Sequence, residues 1–259
     1  MSLNFDRVGR FLARLEGGRY DKKIVSVSSE VKDDAKEDDY TKPFKTLNID
    51  GKFQQVPDPD TERQILYITG ASGSGKSTYT RNYIKQYKKM FPKRPVYLFS
   101  HLKEDESLDE VNPQRIAIDE NLVSDPIPVE DFANSVVIFD DIDVISNKQQ
   151  REAVYNILNQ ILETGRHFNI TCIITNHLPT AGKDTRRVLN ECHSVTYFPH
   201  SGSAKALKYL LTEYLGLDKN SMKKIKGLKS RWATIFKNYP NVCMTENDIW
   251  LLCDDDDDE

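Results

Sequence analysis

The sequence has 259 residues, of which 38% are hydrophobic, and this is enough for one sizeable α/β domain with polar appendages. Its formal net charge of −4 disfavours a histone-like protein that coats nucleic acid, although local basic surfaces remain compatible with that charge. The four scattered cysteines lack the spacing of a disulfide framework or a zinc site, and no apolar run approaches the roughly 20 residues that span a bilayer, so we expect a soluble intracellular protein with no membrane span.

Residues 1–60 are predicted to form an N-terminal extension that is partly flexible. Apolar residues recur at helical spacing over residues 5–15, and this pattern predicts a short amphipathic helix that ends at the two glycines that follow. An alternating pattern at residues 24–27 predicts a strand. Residues 32–40 are nearly all charged and are expected to be mobile.

Residues 61–202 are predicted to form the main domain, because short apolar strands alternate with helices along this part of the chain. The predicted strands are residues 65–69, 95–99, 136–139, 170–174 and 194–198. The predicted helices are residues 77–90 and 151–163, the second with a continuous apolar stripe. This order is typical of an α/β fold with a mostly parallel sheet flanked by helices.

Residues 203–252 are predicted to form a C-terminal appendage of helices and a small β-hairpin. The predicted helices are residues 204–215 and 221–228, and the predicted short strands are residues 232–236, 242–244 and 249–252. Residues 253–259 are almost wholly acidic and are expected to be a disordered tail.

A phosphate-binding motif separates the first strand of the main domain from its first helix. It has the pattern G-x-x-x-x-G-K-[ST] and consists of Gly70, Ala71, Ser72, Gly73, Ser74, Gly75, Lys76 and Ser77. Its glycines allow successive backbone N–H groups to face a phosphate, and the helix adds the positive end of its dipole. Lys76 would reach the β- and γ-phosphates of ATP, the Ser77 hydroxyl would ligate Mg²⁺, and Thr78 could touch the α-phosphate. A chance glycine-rich turn is the alternative, and the strand and helix on either side favour the P-loop.

Two adjacent carboxylates follow the apolar strand at residues 136–139. At the carboxyl end of such a strand, Asp140 would hold Mg²⁺ beside the P-loop, and Asp141 would orient and polarise the attacking water. The alternative is an acidic turn that only ends a strand. Asp143 is expected to be solvated.

The strand at residues 170–174 ends in three polar residues. In NTPases with an extra strand between the P-loop strand and the Asp strand, a polar residue here senses the γ-phosphate. Asn176 is the candidate, with Thr175 and His177 as the next choices, and a simple turn cap is the alternative.

An arginine precedes the same strand. Arg166 could project into a neighbouring subunit and stabilise charge on the phosphoryl group, with Arg186 and Arg187 as competitors for this role. A surface arginine with no catalytic task is the alternative.

Two basic stretches, residues 81–94 and 203–237, offset the acidic segments. Such clusters suit sequence-independent contact with the phosphate backbone of double-stranded DNA, and a solvated helix face would explain them equally well.

Features of other P-loop classes are missing from the sequence. It contains no Asn-Lys-x-Asp motif for guanine, no Leu-Ser-Gly-Gly-Gln stretch of transporter ATPases and no arginine-rich lid of a small nucleotide kinase. The chain instead resembles the genome-packaging ATPases of poxviruses and giant DNA viruses, which are similar to the FtsK/HerA group of DNA-pumping motors. The resemblance covers about residues 64–252 and rests on Gly70–Ser77, Val137–Asp141, Arg166–Ile170, Thr175–His177 and the segment from Arg231 to Leu252.

The resemblance implies a homo-oligomeric ring that couples ATP hydrolysis to the movement of double-stranded DNA into a capsid. One subunit would supply Lys76, Ser77, Asp140 and Asp141, and the next would supply Arg166. Many relatives have Glu where this chain has Asp141. A capsid or portal-like partner is expected, with the protein at viral assembly sites in the host cytoplasm or in the virion. The alternatives are a regulatory or scaffolding NTPase without DNA translocation, and a nucleotide or small-molecule kinase.

Overall fold

A computed structural model of the chain describes residues 1–29, 43–61, 63–180, 182–227 and 229–252. The predictions for the charged segment at 32–40 and for the acidic tail at 253–259 lie outside these ranges. The side chains of Lys183, Asp184 and Lys226 are also not described.

The N-terminal segment forms a four-stranded antiparallel sheet. Its strands are β1 (Ser2–Asn4), β2 (Arg10–Glu16), β3 (Ile24–Ser28) and β5 (Lys52–Gln55), in the order β1-β3-β2-β5. The strand predicted around residues 24–27 is confirmed, and the helix predicted over residues 5–15 is wrong. The pairing of β2 with β3 shifts between Phe11 and Ala13, so the consecutive residues Leu12 and Ala13 are both buried. This bulge breaks the alternation of a strand and imitates helical spacing.

The main sheet has ten strands in the order β4-β14-β13-β12-β11-β6-β10-β9-β7-β8. The strands of its parallel part are β6 (Ile65–Thr69), β7 (Val96–Ser100), β8 (Gln114–Ile116), β9 (Val136–Asp140), β10 (Thr171–Asn176) and β11 (Ser194–Tyr197). These strands pair in parallel from β11 to β8. The predicted α/β class is confirmed, and β10 is the additional strand between β6 and β9.

The remaining strands extend the same sheet in antiparallel pairing. They are β4 (Thr46–Asn48), β12 (Ala233–Phe236), β13 (Val242–Thr245) and β14 (Asp248–Leu251). The C-terminal strands are therefore continuous with the main sheet, and β4 joins it from the N-terminal segment. The domain boundaries at residues 60 and 202 stay predictions.

Helices cover both faces of the parallel part of the sheet. They are α1 (Lys76–Met90), α2 (Glu106–Asp109), α3 (Glu120–Ser124), α4 (Lys148–Thr164), α5 (Gly182–Glu191), α6 (Ala204–Tyr209) and α7 (Lys219–Lys226). Helix α4 starts at Asn147, whose side chain accepts hydrogen bonds from the N–H groups of Gln149 and Gln150. The apolar stripe of α4 packs on one face and α1 packs on the other. Within the described ranges, no helix combines the length and the apolar character needed to cross a membrane.

Besides the two apolar cores on the faces of the main sheet, under α4 and under α1, a third core lies between the N-terminal sheet and the antiparallel part of the main sheet. Leu12, Val25 and Phe53 pack here with Met244 and Ile249. Arg10 joins the same two layers, since its Nη2 donates to the carbonyls of Asn238 (2.7 Å) and Pro240 (2.9 Å).

Candidate functional site

The P-loop lies at the carboxyl edge of the sheet, between β6 and α1, as predicted. Gly75 precedes the helix with a φ of 113°, a conformation that residues with a side chain rarely adopt. At Gly70, an added Cβ would lie 2.6 Å from Ser74 Oγ and 2.8 Å from Phe198 Cδ2, so a larger residue there would displace the Ser74 hydroxyl and the Phe198 ring. The backbone of this loop is thus shaped to wrap around an anion at the start of α1.

Lys76 connects the P-loop to the strand that carries the two predicted carboxylates. Its Nζ donates to the carbonyl of Gly70 (3.0 Å) and lies 3.4 Å from Asp141 Oδ1. The side chain is only 6% exposed. The buried ammonium group of Lys76 therefore lies at the centre of the site, where its positive charge can stabilise the negative charge of a phosphate.

Ser77 donates its hydroxyl hydrogen to a residue that the sequence reasoning missed. The bond joins Ser77 Oγ to Asp105 Oδ2 at 3.0 Å. The other oxygen, Asp105 Oδ1, caps α2 by accepting hydrogen bonds from the N–H groups of Ser107 (2.9 Å) and Leu108 (2.8 Å). An aspartate just before a short helix is an N-cap pattern, which is the one sequence signal that this residue carries.

Asp140 is a buried carboxylate with two hydroxyl partners. Ser100 Oγ donates to its Oδ2 (3.1 Å), and Thr175 Oγ1 donates to its Oδ1 (2.9 Å). Burial raises the pKa of Asp140 above its ordinary value, and the negative charges of Asp141 and Asp105 raise it further. A cation at this point would offset that accumulated negative charge.

Asp141 lies at the end of β9 in the left-handed backbone region, with a φ of 46°. Its N–H group donates to Thr175 Oγ1 at 3.0 Å, its Oδ1 contacts Lys76, and its Oδ2 lies 3.3 Å from His177 Nε2. The left-handed conformation, which Asp tolerates better than most residues, is thus held by contacts on three sides.

The end of β10 places Thr175 and His177 against the two carboxylates, and the identity of the γ-phosphate sensor stays a prediction. Thr175 contacts both Asp140 and Asp141, and His177 contacts Asp141. Asn176 faces the other side of the sheet, where its Nδ2 donates to the hydroxyl of Tyr67 at 3.4 Å. Side chains alternate along a strand, so Asn176 cannot share a face with its two neighbours. Direct contact with the carboxylates therefore belongs to Thr175 and His177, the two residues ranked after Asn176.

Asp143 is also corrected, because it is not a solvated residue. Its side chain is 14% exposed, and its Oδ2 accepts a hydrogen bond from the N–H group of His177 at 3.4 Å. Asp143 therefore helps to hold His177 next to Asp141.

Arg166 lies at the opposite edge of the sheet from the P-loop. It is exposed in the turn between α4 and β10, and the P-loop follows the carboxyl end of β6, which runs parallel to β10. The six residues of β10 separate the two edges by roughly 20 Å. Arg166 is thus remote from the P-loop of its own chain.

The oxygen donors of the site suit Mg²⁺. Ser77 and Asp140 present a hydroxyl and a carboxylate, which are oxygen ligands of the kind that Mg²⁺ prefers, and Asp105 orients the hydroxyl of Ser77. With Lys76 beside them, these residues can hold a divalent cation together with a polyphosphate.

Comparisons with known proteins agree with this geometry. No model of a known protein family matches the chain. The uncharacterized protein V3 of Sputnik virophage is 42% identical over 247 residues, which cover 95% of this chain and 96% of V3.

Two solved structures share the fold at low sequence identity. The genome packaging NTPase B204 from Sulfolobus turreted icosahedral virus 2, in complex with ATP-gammaS, is 17% identical, with a TM-score of 0.50 over 72% of this chain and 97% of that chain. The cytoplasmic domain of the Type VII secretion ATPase EccC from Thermomonospora curvata is 13% identical, with a TM-score of 0.52 over 78% of this chain and 28% of that chain. The chain therefore shares the α/β fold of these two ATPases, with its mostly parallel sheet flanked by helices, as the sequence resemblance implied.

Proposed function

The chain belongs to the protein family of V3 from Sputnik virophage, and we propose that it is a Mg²⁺-dependent ATPase that drives double-stranded DNA into a viral capsid. The observation that carries the ATPase proposal is the contact of Lys76 Nζ with Asp141 Oδ1 at 3.4 Å, which joins the P-loop to the carboxylates of β9. The genome-packaging role is supported by the shared fold with B204, a genome packaging NTPase.

In this proposal, each residue of the site has one chemical task. The P-loop N–H groups and Lys76 bind the phosphates, while Ser77 and Asp140 would hold Mg²⁺, which would supply positive charge against the phosphate oxygens. Asp141 orients a water and takes its proton as the water oxygen attacks the γ-phosphorus and the bond to the β-phosphate oxygen breaks. Thr175 and His177 hold the Asp141 carboxylate in position for this step.

In this proposal a second subunit completes the site by supplying Arg166. Since Arg166 is at the far edge of its own sheet, it can act only on the P-loop of a neighbour, as a ring of identical subunits would allow. Asn176 would act indirectly, since Tyr67, its partner, donates to the carbonyls of Leu178 (3.0 Å) and Pro179 (3.1 Å) at the start of the loop that leads to α5.

The two basic stretches differ in their availability for DNA. On α1, the side chains of Arg81 and Lys85 both pair with Glu110, at 2.8 Å and 2.6 Å. On α6, Lys205 and Lys208 are exposed, as are lysines of α7. We therefore assign sequence-independent DNA contact to α6 and α7, through phosphate groups. A capsid or portal-like partner and a location at viral assembly sites or in the virion complete the proposal.

The decisive experiment measures ATP hydrolysis by the purified chain with and without double-stranded DNA, at low and moderate salt, with Asp141→Asn alongside. We expect stimulation by DNA that salt weakens and that Asp141→Asn abolishes. Rapid turnover that ignores DNA would rule out the motor and favour a scaffolding NTPase. Transfer of phosphate to an acceptor other than water would instead identify a kinase.

A further inference from the structure

The site fixes the direction in which a bound nucleoside triphosphate must lie. The contact of Lys76 with Asp141 marks the γ-phosphate end, because Asp141 is the residue placed to activate water. Thr78 is exposed two residues further along α1, where the α-phosphate would lie. The nucleoside must therefore leave the P-loop past Thr78, away from Asp141.

A groove of about 210 Å³ begins at this point. It is lined on the P-loop side by Gly75, Thr78 and Asn82, and on the side of the N-terminal sheet by Glu16, Lys52, Phe53 and Gln54. The side facing the C-terminal strands is formed by Arg231, Trp232 and Glu246. One wall of the groove thus comes from the N-terminal sheet, whose strand β5 contains Phe53 and Gln54.

Strand β5 is attached firmly to the P-loop helix and to the main sheet. The hydroxyl of Tyr79 on α1 donates to Gln55 Oε1 at 2.7 Å, and Gln55 Nε2 donates to Ser194 Oγ at 3.2 Å. The N–H group of Phe53 donates to the carbonyl of Glu246 at 2.8 Å. These bonds are formed among buried or half-buried groups, so the groove exists as a preformed feature of the fold.

The lining of the groove suits a heterocyclic base attached to a phosphate. Trp232 supplies aromatic surface. Gln54 Nε2 donates to the carbonyl of Gln55 at 3.2 Å and Asn82 Oδ1 accepts from Arg81 Nε at 3.2 Å, so each amide keeps at least one N–H and acceptor capacity for a base edge. The Arg231 guanidinium lies where the groove meets the P-loop, with Nη2 3.9 Å from the position that a Cβ would take at Gly75. That position suits contact with the phosphate nearest the nucleoside.

We propose that this groove is the nucleoside subsite and that the N-terminal sheet supplies its base-recognising wall through Phe53 and Gln54. The inference rests on the proposed ATPase function, and it assigns a role to residues 1–60 for which the sequence predicted only an extension. The first and last parts of the described chain would then meet at the nucleoside, while the P-loop between them binds the phosphates.

The test compares two ligands by isothermal titration calorimetry in the presence of Mg²⁺: ATPγS and inorganic tripolyphosphate, which lacks a nucleoside. We expect Gln54→Ala and Asn82→Ala each to weaken binding of ATPγS about 3- to 10-fold, as the loss of one hydrogen bond implies, and to leave binding of tripolyphosphate unchanged. Lys76→Ala should weaken binding of both ligands. Gln149→Ala is the matched control, because it also removes an amide side chain but lies exposed on α4, outside the groove.

The two proposals fail in different ways in this experiment. Unchanged affinity of Gln54→Ala and Asn82→Ala for ATPγS would overturn the subsite, and so would an equal loss of affinity for tripolyphosphate. If the unaltered chain binds neither ligand, the proposed nucleotide site itself is wrong. Asn82 is half-buried at the surface of α1, so its variant stays informative even if Gln54→Ala does not fold.

Discussion

Ser77 and Asp105 are joined by a hydrogen bond of 3.0 Å between Ser77 Oγ and Asp105 Oδ2, although 28 positions separate them in the sequence. The same aspartate caps α2 with its other oxygen. The Asp105 side chain therefore orients the Ser77 hydroxyl, which is expected to ligate Mg²⁺, and also stabilises the start of α2.

We expect Asp105→Asn to raise the Mg²⁺ concentration needed for half-maximal ATP hydrolysis about 10-fold, the usual lower effect of losing a group that orients a metal ligand. Asn caps helices about as well as Asp, so the free energy of unfolding should change by less than about 0.5 kcal/mol. A Mg²⁺ titration of the hydrolysis rate and urea unfolding measure the two effects. A large loss of stability with an unchanged Mg²⁺ requirement would make Asp105 a purely structural cap.

The hydroxyl of Thr175 is expected to matter more to catalysis than the amide of Asn176. Thr175→Val removes the bonds to Asp140 and Asp141 and should lower kcat about 100-fold, while Thr175→Ser keeps the hydroxyl and most of the rate. Asn176→Ala should change kcat less than about 5-fold, because its side chain faces Tyr67. Steady-state kinetics of the three variants decide this, and a reversed order would restore Asn176 as the sensor.

Arg166→Ala is expected to lower DNA-stimulated hydrolysis about 1,000-fold or more, as the loss of an arginine acting from a neighbouring subunit does. Mixing it with Lys76→Ala subunits should recover part of the activity, because an intact P-loop then meets an intact Arg166. Arg187→Ala serves as the control, since Arg187 pairs with Glu163 of its own chain at 3.0 Å. Mixed subunits that stay inactive would contradict a role in trans.

Lys205→Ala and Lys208→Ala are each expected to weaken DNA binding equally for all sequences and to reduce the slope of log K against log salt by about 1. Lys85→Ala is the matched control, because its ammonium group already pairs with Glu110 at 2.6 Å. Fluorescence anisotropy at several salt concentrations gives the slopes. Equal slopes for all three variants would place the DNA contact elsewhere.

The half-buried imidazole of His193 should make the fold sensitive to acid. Burial lowers the pKa of His193 to about 4, and its Nδ1 accepts a hydrogen bond from the N–H group of Ile65 at 2.8 Å. Because the unfolded chain binds this proton near pH 6.5, the stabilisation is complete above that pH and is lost as the pH falls towards 4. Between pH 7.5 and pH 5.0, we expect the free energy of unfolding of the unaltered chain to fall more than that of His193→Gln, by on the order of 1–2 kcal/mol.

Urea unfolding of the unaltered chain and of the His193→Gln variant at the two pH values measures this difference. Equal losses of stability in the two proteins would show that other groups cause the sensitivity to acid.

The sequence was sufficient for the parts of the site that depend on local structure. The P-loop is the turn between β6 and α1, Lys76 is the first residue of α1, and Asp140 is the last residue of β9. Each of these elements has a pattern that is continuous in sequence, so the position of these residues in the fold could be predicted directly. Asp105 was missed because it follows β7, far from Ser77 of α1 in the sequence. The two residues come together only after β7 has taken its place beside β9 in the sheet. The face of the sheet that Asn176 occupies did not follow from the sequence, because it depends on which side of β10 is covered by α1.

The shared core of the N-terminal sheet and the last strands sets an order of events for the newly made chain. Leu12 and Phe53 are synthesised first but bury themselves against Met244 and Ile249, and β4 pairs with β14. These contacts join segments about 200 residues apart, so they form late and slowly. On the ribosome, the early strands must therefore wait, with apolar surface exposed, until Met244 and Ile249 have emerged.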